Sequence, residues 1–444
     1  MKPTRINRRH FIAKASTGIL GAGAGASFIR NKRSDIDDHS GRDEEPRIKE
    51  YRTLGRTGFK VSDIGCGPIN ITHDNVLKAI LDAGVNFIDT ADYYRKGNNE
   101  KMVGRVLKNF DRKTIFVNIK IGVSEKDTVE DIVSKVHKSL DRLDTDYLDG
   151  LMLWNASSVD EISNASFHRA IEQLKSEGRV KYCGVSSHGA NWTGETKDSM
   201  SRVIRAAVED GRFDLVLFVY NYLQKDIGQE LLRACATKNI GATLMKTDPF
   251  GGQFLQVLEM AENYDRDSMP EWLAKPYNKI IDNQTKAGSF LEEQQIFDED
   301  AKREAAIGFV LNDPAVHSVL ISFKSFSDIQ NYVGLSGKRL SARSNSLINS
   351  LKATCSHLYC RHACGICESK CPHAVPVNTI MRYNHYFMAQ GLEKSSMEKY
   401  YSLPGKKADL CSSCEGYCEQ ECPYGVPIQA LLSIAHHNLS FHAV

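Results

Sequence analysis

Short apolar runs alternate with amphipathic stretches between Ile64 and Tyr332. The clearest amphipathic stretch extends from Thr128 to Leu143, where apolar residues recur at spacings of three and four and therefore share one face of a predicted helix. Further apolar runs predict buried strands at residues 115–119, 147–153, 180–185, 215–219, 241–245 and 316–321. This alternation is typical of a parallel sheet whose connections are helical.

One shorter run carries candidate chemistry. Gly84 suits the left-handed residue that ends a helix, and the apolar residues within 85–88 suit a buried strand. Asp89 and Tyr94 follow it, on the kind of loop where an α/β barrel carries its functional groups. An ordinary turn with surface Asp and Tyr is the alternative for this segment on its own. Phe250–Asp298 lacks a clear period and is longer than a usual loop, so we expect it to cover the same end of the barrel.

The length of 444 residues fits one barrel with additions at its ends. The formal net charge of +2 is unevenly distributed, because the first 26 residues contain five basic side chains and no acidic one. The rest of the chain is slightly acidic and nothing in it indicates a surface for a phosphate backbone, so we expect no nucleic-acid partner.

The beginning of the chain carries a basic segment followed by a weakly apolar one. Arg8 and Arg9 precede Phe11, and a stretch rich in Ala and Gly covers residues 15–29. Residues 1–33 therefore resemble a twin-arginine export signal, which implies the twin-arginine machinery as a partner and a periplasmic location, with membrane association if the signal is retained. As a helix the stretch reaches about 22 Å, short of a hydrocarbon core of about 30 Å. A basic disordered tail is the alternative.

Residues 34–50 are charged and nearly free of apolar side chains, which predicts a disordered linker. After it, the sequence resembles the aldo/keto reductase family over residues 51–335, where characteristic motifs occur in the same order. These motifs are Arg52–Ser62, Gly84–Tyr94, Asn118–Lys120, Tyr147–Asp149 and Gly184–Ser187. The resemblance implies an α/β fold, a (β/α)8 TIM barrel over residues 51–336, with a β-hairpin at Tyr51–Ser62 that closes the barrel floor.

The resemblance also implies catalytic roles. Tyr94 is expected to be the general acid/base, Lys120 to lower the pKa of that phenol, and Asp89 to anchor the lysine. Trp154 stands where the family has a histidine; it cannot titrate, and its bulk fills space beside the substrate carbonyl. This departure implies either a shifted choice of substrate or the loss of ordinary carbonyl reduction, and the neighbouring Asn155 can supply a donor instead.

Positions for a nicotinamide cofactor follow from the same resemblance. Ser186 and Ser187 stand where the family contacts the nicotinamide amide, although the family has Asn at the second position. Met245 and Lys246 align with residues that flank the nicotinamide in iron–sulfur members of the family. Leu217 stands at the family's usual glutamine, which weakens the cofactor assignment.

The last predicted strand is followed by a further cofactor motif. Lys324 and Ser325, followed by Asn331, resemble the adenosine-phosphate site of the family, although the expected arginine is missing. A lysine at this place favours the 2′-phosphate of NADP(H) over NAD(H). The resemblance therefore implies NADP(H) as the cofactor.

Nine of the 12 cysteines lie between Cys355 and Cys422, which is too dense for isolated buried thiols. Two blocks end in Cys-Pro: Cys360-x3-Cys364-x2-Cys367-x3-Cys371 and Cys411-x2-Cys414-x3-Cys418-x3-Cys422. Each block resembles the bacterial ferredoxin run, in which the fourth cysteine binds the other cluster. The resemblance implies one [4Fe–4S] cluster on Cys360, Cys364, Cys367 and Cys422, and a second on Cys411, Cys414, Cys418 and Cys371.

Residues 337–352 are small, polar and basic, and are predicted as a linker to a ferredoxin-type domain at residues 353–444. Both cysteine blocks carry one residue more than the usual spacing, so Cys355 is an alternative to Cys360. A structural zinc site, disulfides and simple burial are the other interpretations of these cysteines. Matching Val-Pro pairs after each block strengthen the case for a duplication.

Two functions are compatible with these features. The first is an exported oxidoreductase whose barrel binds NADP(H) and a small-molecule substrate, fused to a small ferredoxin-like module whose two clusters exchange electrons with a redox partner protein. The second is an exported electron-transfer protein whose barrel is a docking scaffold without catalytic activity. Trp154, Ser187 and Leu217 favour the second function, whereas Tyr94 and its partners favour the first.

Overall fold

The computed structural model describes residues 45–188, 198–249, 265–271, 273–274, 278, 299–362, 364–390 and 392–441, all within one compact unit that extends from Glu45 to Val444. The predicted export signal, most of the predicted linker 34–50 and most of the segment Phe250–Asp298 lie outside the described residues. Within the described ranges, no helix is long and apolar enough to cross a membrane.

Two short antiparallel strands, β1 (Tyr51–Thr53) and β2 (Lys60–Ser62), form the hairpin predicted at the start of the barrel region. The turn between them lies directly against the barrel. Gly55 has φ +48°, and a Cβ atom there would lie 2.4 Å from the backbone nitrogen of Gly241, at the start of a barrel strand. Only glycine therefore allows the hairpin to approach this end of the barrel so closely.

Eight parallel strands close into a barrel, as the alternation of apolar runs and amphipathic stretches predicted. They are β3 (Ile64–Cys66), β4 (Phe87–Ala91), β5 (Phe116–Ile121), β6 (Leu148–Leu153), β7 (Val180–Ser187), β8 (Leu215–Val219), β9 (Gly241–Met245) and β10 (Ser318–Ile321). Each strand pairs with the next along the chain, and β10 pairs with both β9 and β3, so the sheet closes on itself.

Helices cover the outside of the barrel. They are α1 (Asp74–Asp82), α2 (Asn98–Leu107), α3 (Val129–Leu143), α4 (Val159–Ile162), α5 (Ala165–Ser176), α6 (Met200–Asp210), α7 (Lys225–Thr237) and α8 (Glu299–Leu311). The predicted helix α3 begins at a capping box, in which Thr128 Oγ1 accepts the Asp131 N–H at 3.2 Å and Asp131 Oδ2 accepts the Thr128 N–H at 3.0 Å.

Parts of both predicted linkers are ordered. Within residues 34–50, the backbone N–H of Ile48 donates to a carbonyl oxygen after α1 at 2.9 Å, and its side chain packs on the core. Residues 337–352 lie largely in α9 (Ala342–Cys355), which packs against α8. The buried apolar residues of α9 recur at helical spacing, but the surrounding serines make this pattern hard to detect in the sequence. These residues are Leu347, Ile348 and Leu351.

The C-terminal region consists of α10 (Val377–Gln390), α11 (Glu393–Tyr401), α12 (Tyr417–Gln420) and α13 (Ile428–Leu439), and its described residues contain no strand. Its two halves repeat the same local geometry. The Glu368 carboxylate accepts a hydrogen bond at 2.7 Å from the backbone N–H of Asn378, ten residues later. The Glu419 carboxylate accepts one at 2.8 Å from the backbone N–H of Gln429, also ten residues later. Ala374 and Gly425 occupy equivalent left-handed positions, with φ 49° and 61°. The duplication of the cysteine blocks therefore extends to the surrounding backbone.

Candidate active site at the barrel mouth

Strands β4 and β5 bring three predicted catalytic side chains together at the C-terminal end of the barrel, its mouth. In the parallel pairing of β4 with β5, Lys120 lies opposite Ala91, and Ala91 is two residues beyond Asp89 in β4. Lys120 Nζ donates to the Asp89 carboxylate and, at 2.9 Å, to the carbonyl oxygen of Thr90. Lys120 and Asp89 are only 1% and 4% exposed. Lys120 Nζ lies 5.2 Å from the centroid of the Tyr94 ring.

Asn118 is a site residue whose role the sequence did not predict. Its Nδ2 donates to Asp89 Oδ1 at 2.6 Å, while the other carboxylate oxygen accepts from Lys120. Asn118 and Lys120 are two residues apart on β5, so their side chains point to the same face of the strand. This spacing, already present in the Asn118–Lys120 motif, is the feature that could have identified Asn118.

Burial acts on the protonation of both Tyr94 and Lys120. Burial raises the pKa of the Tyr94 phenol, and the Lys120 ammonium only partly offsets this, so the pKa stays above its ordinary value. For Lys120, burial alone would lower the pKa, but the Asp89 carboxylate and the Tyr94 phenol outweigh it, and the pKa is raised. The site therefore holds a neutral phenol beside a charged ammonium at neutral pH, whereas the sequence predicted a phenol with a lowered pKa.

Trp154 and Tyr93 form an aromatic wall beside these groups. Their ring centroids are 4.5 Å apart with an interplanar angle of 49°, and Tyr93 makes an edge contact with Tyr94 at 4.9 Å. Tyr93 is 43% exposed, so the wall borders the open side of the site. The place predicted for the family histidine thus holds a packed ring that cannot exchange a proton. The role of Tyr93 was not predicted from the sequence.

The two serines predicted to contact the nicotinamide amide use their hydroxyls within the protein. Ser186 Oγ accepts the N–H of Asn155 at 2.9 Å and donates to the carbonyl oxygen of Leu153 at 3.3 Å. Ser187 Oγ donates to the carbonyl oxygen of Ala156 at 2.9 Å. Both serines are fully buried and join the end of β7 to the loop after β6. Their role in cofactor binding stays a prediction.

Met245 and Lys246 lie at the end of β9, on the same mouth. Lys246 has a left-handed backbone, with φ 55°, and its Nζ donates to Tyr386 Oη at 2.8 Å. Burial, together with the cations Arg382 and Lys399, holds the pKa of Lys246 well below its ordinary value. This predicted cofactor residue therefore faces the C-terminal region, a contact that the sequence did not predict.

The predicted adenosine-phosphate site contains a carboxylate. The backbone N–H groups of Lys324 and Ser325 donate to Asp328 Oδ2 at 2.7 and 3.0 Å, at the start of the short helix Phe326–Asp328. Lys324 is exposed and Asn331 is partly exposed. Because Asp328 already accepts from N–H groups that could bind a phosphate, this arrangement favours a 2′-phosphate less than the sequence predicted.

The C-terminal region covers one side of the mouth. Asn221, which lies just after β8, donates a hydrogen bond from Nδ2 to Tyr359 Oη at 3.1 Å. Arg382 Nη2, on α10, donates to the carbonyl oxygen of His188 at 2.6 Å, just after β7. Together with the Lys246–Tyr386 contact, these hydrogen bonds connect the region to the ends of three consecutive barrel strands.

The thiols of each predicted set lie near one another, and their role as cluster ligands stays a prediction. Burial and the neighbouring thiols raise the pKa of Cys360, and these neighbours are Cys364, Cys367 and Cys422. The other set lines a single cavity and consists of Cys371, Cys411, Cys414 and Cys418. All eleven cysteines whose side chains are described are free thiols. The side chain of Cys355, the alternative ligand, lies outside the described residues.

In the described part of the chain, no three His, Cys, Asp or Glu side chains are placed to hold a metal ion. The clusters expected from the two cysteine blocks therefore stay a prediction. The backbone N–H of Val375 donates to Cys371 Sγ at 3.4 Å.

Comparison with known proteins identifies the class that this fold and site define. Residues 71–353 match the sequence profile of the Aldo/keto reductase family, and the chain therefore belongs to that family. The matched region ends before the first cysteine block, within α9.

Individual relatives match parts of the chain. Uncharacterized oxidoreductase YqkF of Bacillus subtilis is 36% identical over 150 residues, 31% of this chain and 48% of that protein, so the chain spans about half of its length. L-galactose dehydrogenase of Arabidopsis thaliana is 27% identical over 303 residues, 64% of this chain and 87% of that protein. The structure of aldo-keto reductase AKR11C1 from Bacillus halodurans has a TM-score of 0.50 at 21% identity, covering 71% of this chain and 100% of that chain, and shares the fold.

We predict that Asp89→Asn lowers the free energy of unfolding by about 3 kcal/mol, because it leaves the Lys120 ammonium buried without a carboxylate. Asp74→Asn is the matched control. Asp74 pairs with Arg105 at 2.8 Å, but the two side chains are 41% and 58% exposed, and a surface pair contributes less than about 1 kcal/mol. Urea denaturation followed by circular dichroism measures both losses. Equal losses in the two variants would contradict this account of the buried pair.

Proposed function

We propose that this protein is an oxidoreductase that reduces a carbonyl group of a small molecule with NADP(H), or oxidises the corresponding alcohol. The observation that carries the proposal is the Tyr94–Lys120–Asp89 arrangement at the barrel mouth. A phenol that can give up a proton, a buried ammonium beside it and a carboxylate that holds the ammonium are the parts that proton transfer to a carbonyl oxygen requires.

When bound, a reduced nicotinamide would supply the hydride for the carbonyl carbon. Tyr94 donates its proton to the carbonyl oxygen as negative charge develops there. The raised pKa of the Tyr94 phenol keeps this proton in place at neutral pH, so the residue is suited to act as the acid. The Lys120 ammonium then stabilises the phenolate, and Asp89 and Asn118 hold the ammonium in position. Solvent returns the proton to Tyr94 after the alcohol leaves.

The cofactor is proposed to lie across the mouth, near Ser186, Ser187, Met245 and Lys246, with its adenosine end near Lys324, Ser325 and Asn331. The exposed Lys324 ammonium supports NADP(H), whereas the Asp328 carboxylate beside it opposes a 2′-phosphate. Comparison of the dissociation constants of NADPH and NADH decides between the two effects.

We also propose that the C-terminal region holds two [4Fe–4S] clusters, which supply single-electron transfer when bound. The first is assigned to the set that contains Cys360 and the second to the set that contains Cys411. The cavity lined by four thiols and the repeated backbone geometry of the two halves support this assignment.

We predict that Cys411→Ser/Cys414→Ser lowers the iron content of the anaerobically reconstituted protein from about eight to about four atoms per chain, because it removes two ligands of one cluster only. Cys235→Ala, at an isolated buried thiol of the barrel, is the control and should leave the iron content unchanged. Iron analysis and the visible absorption spectrum measure both. Full iron content in the double variant, or one zinc ion per block in the parent protein, would refute the assignment.

A second candidate function is an electron-transfer protein whose barrel no longer catalyses reduction. The specific observation in its favour is Trp154, which packs on Tyr93 where the family has a histidine. In both proposals residues 1–33 direct the folded protein to the twin-arginine pathway and the periplasm, where a redox partner protein exchanges electrons with the clusters. The twin-arginine motif at Arg8 and Arg9 supports this location.

We predict that Trp154→His raises kcat/KM for NADPH-dependent reduction of a simple aldehyde by about tenfold or more, because it restores a side chain that can donate to the carbonyl oxygen. Trp154→His/Tyr94→Phe is the control and should lose this gain, since the proton donor is absent. Steady-state kinetics measure both variants. If Trp154→His shows no reduction while NADPH still binds, the second candidate function is favoured.

A further inference from the structure

A buried arginine from the C-terminal region lies at the barrel mouth, and no carboxylate among the described residues is bonded to it. Arg382 is 2% exposed. Its two Nη atoms donate to the carbonyl oxygen of His188 at 2.6 Å and to Tyr386 Oη at 3.0 Å, which are both neutral groups. Its Nε, also buried, has no hydrogen-bond partner among the described residues. An arginine cannot lose its charge, so this guanidinium is charged and incompletely bonded.

A lysine reaches the same point from the barrel, and an anion bound beside it would favour its charged form. Lys246 Nζ donates to Tyr386 Oη at 2.8 Å, so a single phenol oxygen accepts hydrogen bonds from both Lys246 and Arg382. Lys399, on α11, lies 5.9 Å from the centroid of the same ring. We call the group of Lys246, Arg382 and Tyr386 the cationic pocket.

The surroundings of the cationic pocket add no described negative charge. The leading charged neighbours of Lys246 are Arg382 and Lys399, and those of His188 are Lys246 and Arg382. Burial and these cations hold the pKa of His188 well below its ordinary value, so the imidazole stays neutral. Lys120 differs from these cations, since it has Asp89 beside it. Buried cations without a carboxylate are costly unless a ligand supplies the missing charge.

The cationic pocket borders the catalytic groups. Lys246 directly follows β9 and Arg382 contacts His188 just after β7, so both lie at the mouth that holds Lys120. Burial chiefly raises the pKa of Tyr93 and of Tyr94, and the Tyr386 phenol adds a smaller contribution to each. An anion held by Arg382 and Lys246 would therefore lie beside the groups that act on the carbonyl.

We propose that Arg382 and Lys246 bind an oxyanion, a carboxylate or a phosphate, that is part of the substrate. The substrate is thus an anionic carbonyl compound or the corresponding alcohol. An arginine suits this task because its planar group donates two parallel hydrogen bonds to such an oxyanion. The identification of the oxyanion as substrate rests on the proposed function.

The position of Arg382 along the chain favours the substrate over the cofactor as the source of the oxyanion. Arg382 lies beyond residue 353, where the match to the family ends. Nicotinamide binding shared by a family would be expected from residues within the matched region. A residue that lies outside the matched region and contacts the barrel mouth instead suits a ligand that is particular to this protein.

The test measures binding of inorganic phosphate to the full, cluster-loaded chain by isothermal titration calorimetry, with NADP⁺ saturating and no turnover required. We expect Arg382→Gln to weaken phosphate binding by about 10- to 100-fold, because a charge-assisted hydrogen bond is lost. Arg382→Lys should cause a smaller loss of phosphate affinity. Lys246→Met should also weaken phosphate binding, because Lys246 is the part of the pocket that the barrel supplies. Lys394→Gln removes an 88% exposed cation of α11 and should change nothing.

Competition identifies the source of the oxyanion. 4-Oxobutanoate and butanal have the same chain length and carbonyl group and differ in the carboxylate, so only 4-oxobutanoate should displace phosphate. Unchanged phosphate binding in Arg382→Gln and Lys246→Met would overturn the oxyanion site. Phosphate binding that occurs without NADP⁺ and is lost when NADP⁺ saturates the protein would assign the pocket to the cofactor and overturn the substrate assignment. Phosphate binding that depends on Arg382, in a protein that turns over no carbonyl compound, would refute the proposed function and leave the site standing.

Discussion

The ammonium of Lys120 can remain charged inside the barrel only because the Asp89 carboxylate lies beside it. Parallel pairing of β4 and β5 fixes this contact, and Asn118 from the same strand as Lys120 occupies the other carboxylate oxygen. Separating the pair would leave one charge in a poorly solvated place. The proposed acid–base group, Tyr94, therefore lies beside an ammonium that the protein already holds in position.

The mouth contains a second set of cations with the opposite property. Lys246 and Arg382 converge on Tyr386, and their leading charged neighbours are again cations. The charge of Lys120 is thus balanced by Asp89 within the protein, whereas Lys246 and Arg382 contact no carboxylate among the described residues. This difference fits the proposed roles, in which Lys120 serves proton transfer and the other two residues hold a ligand.

Much of the barrel could be predicted from the sequence. The strands 215–219 and 241–245 were predicted to the residue, because strands buried on both faces leave uninterrupted apolar runs between turns. Helix α9 was missed because its three buried apolar residues are scattered among serines. The role of Asn118 could have been inferred from its spacing to Lys120. The phenol of Tyr94 differs from the prediction because burial, which a motif does not reveal, outweighs the neighbouring ammonium.

The contacts between the C-terminal region and the barrel mouth could not be predicted from motifs or periodic patterns in the sequence. Arg382 and His188 are far apart in sequence and belong to different regions, so no local period or motif connects them. Within the cysteine region, by contrast, the duplicated spacing indicated a repeat, and the two blocks have the same local backbone. Local repetition is visible in one sequence, whereas docking between two regions is not.

A titration of NADPH into anaerobically purified, cluster-loaded protein tests whether the barrel mouth performs nicotinamide-dependent proton transfer through Tyr94. We expect NADPH to bind saturably and to be oxidised when a carbonyl compound is added. Tyr94→Phe should retain the binding and lose the oxidation. No binding at millimolar NADPH, or oxidation that is unchanged in Tyr94→Phe, would contradict this account.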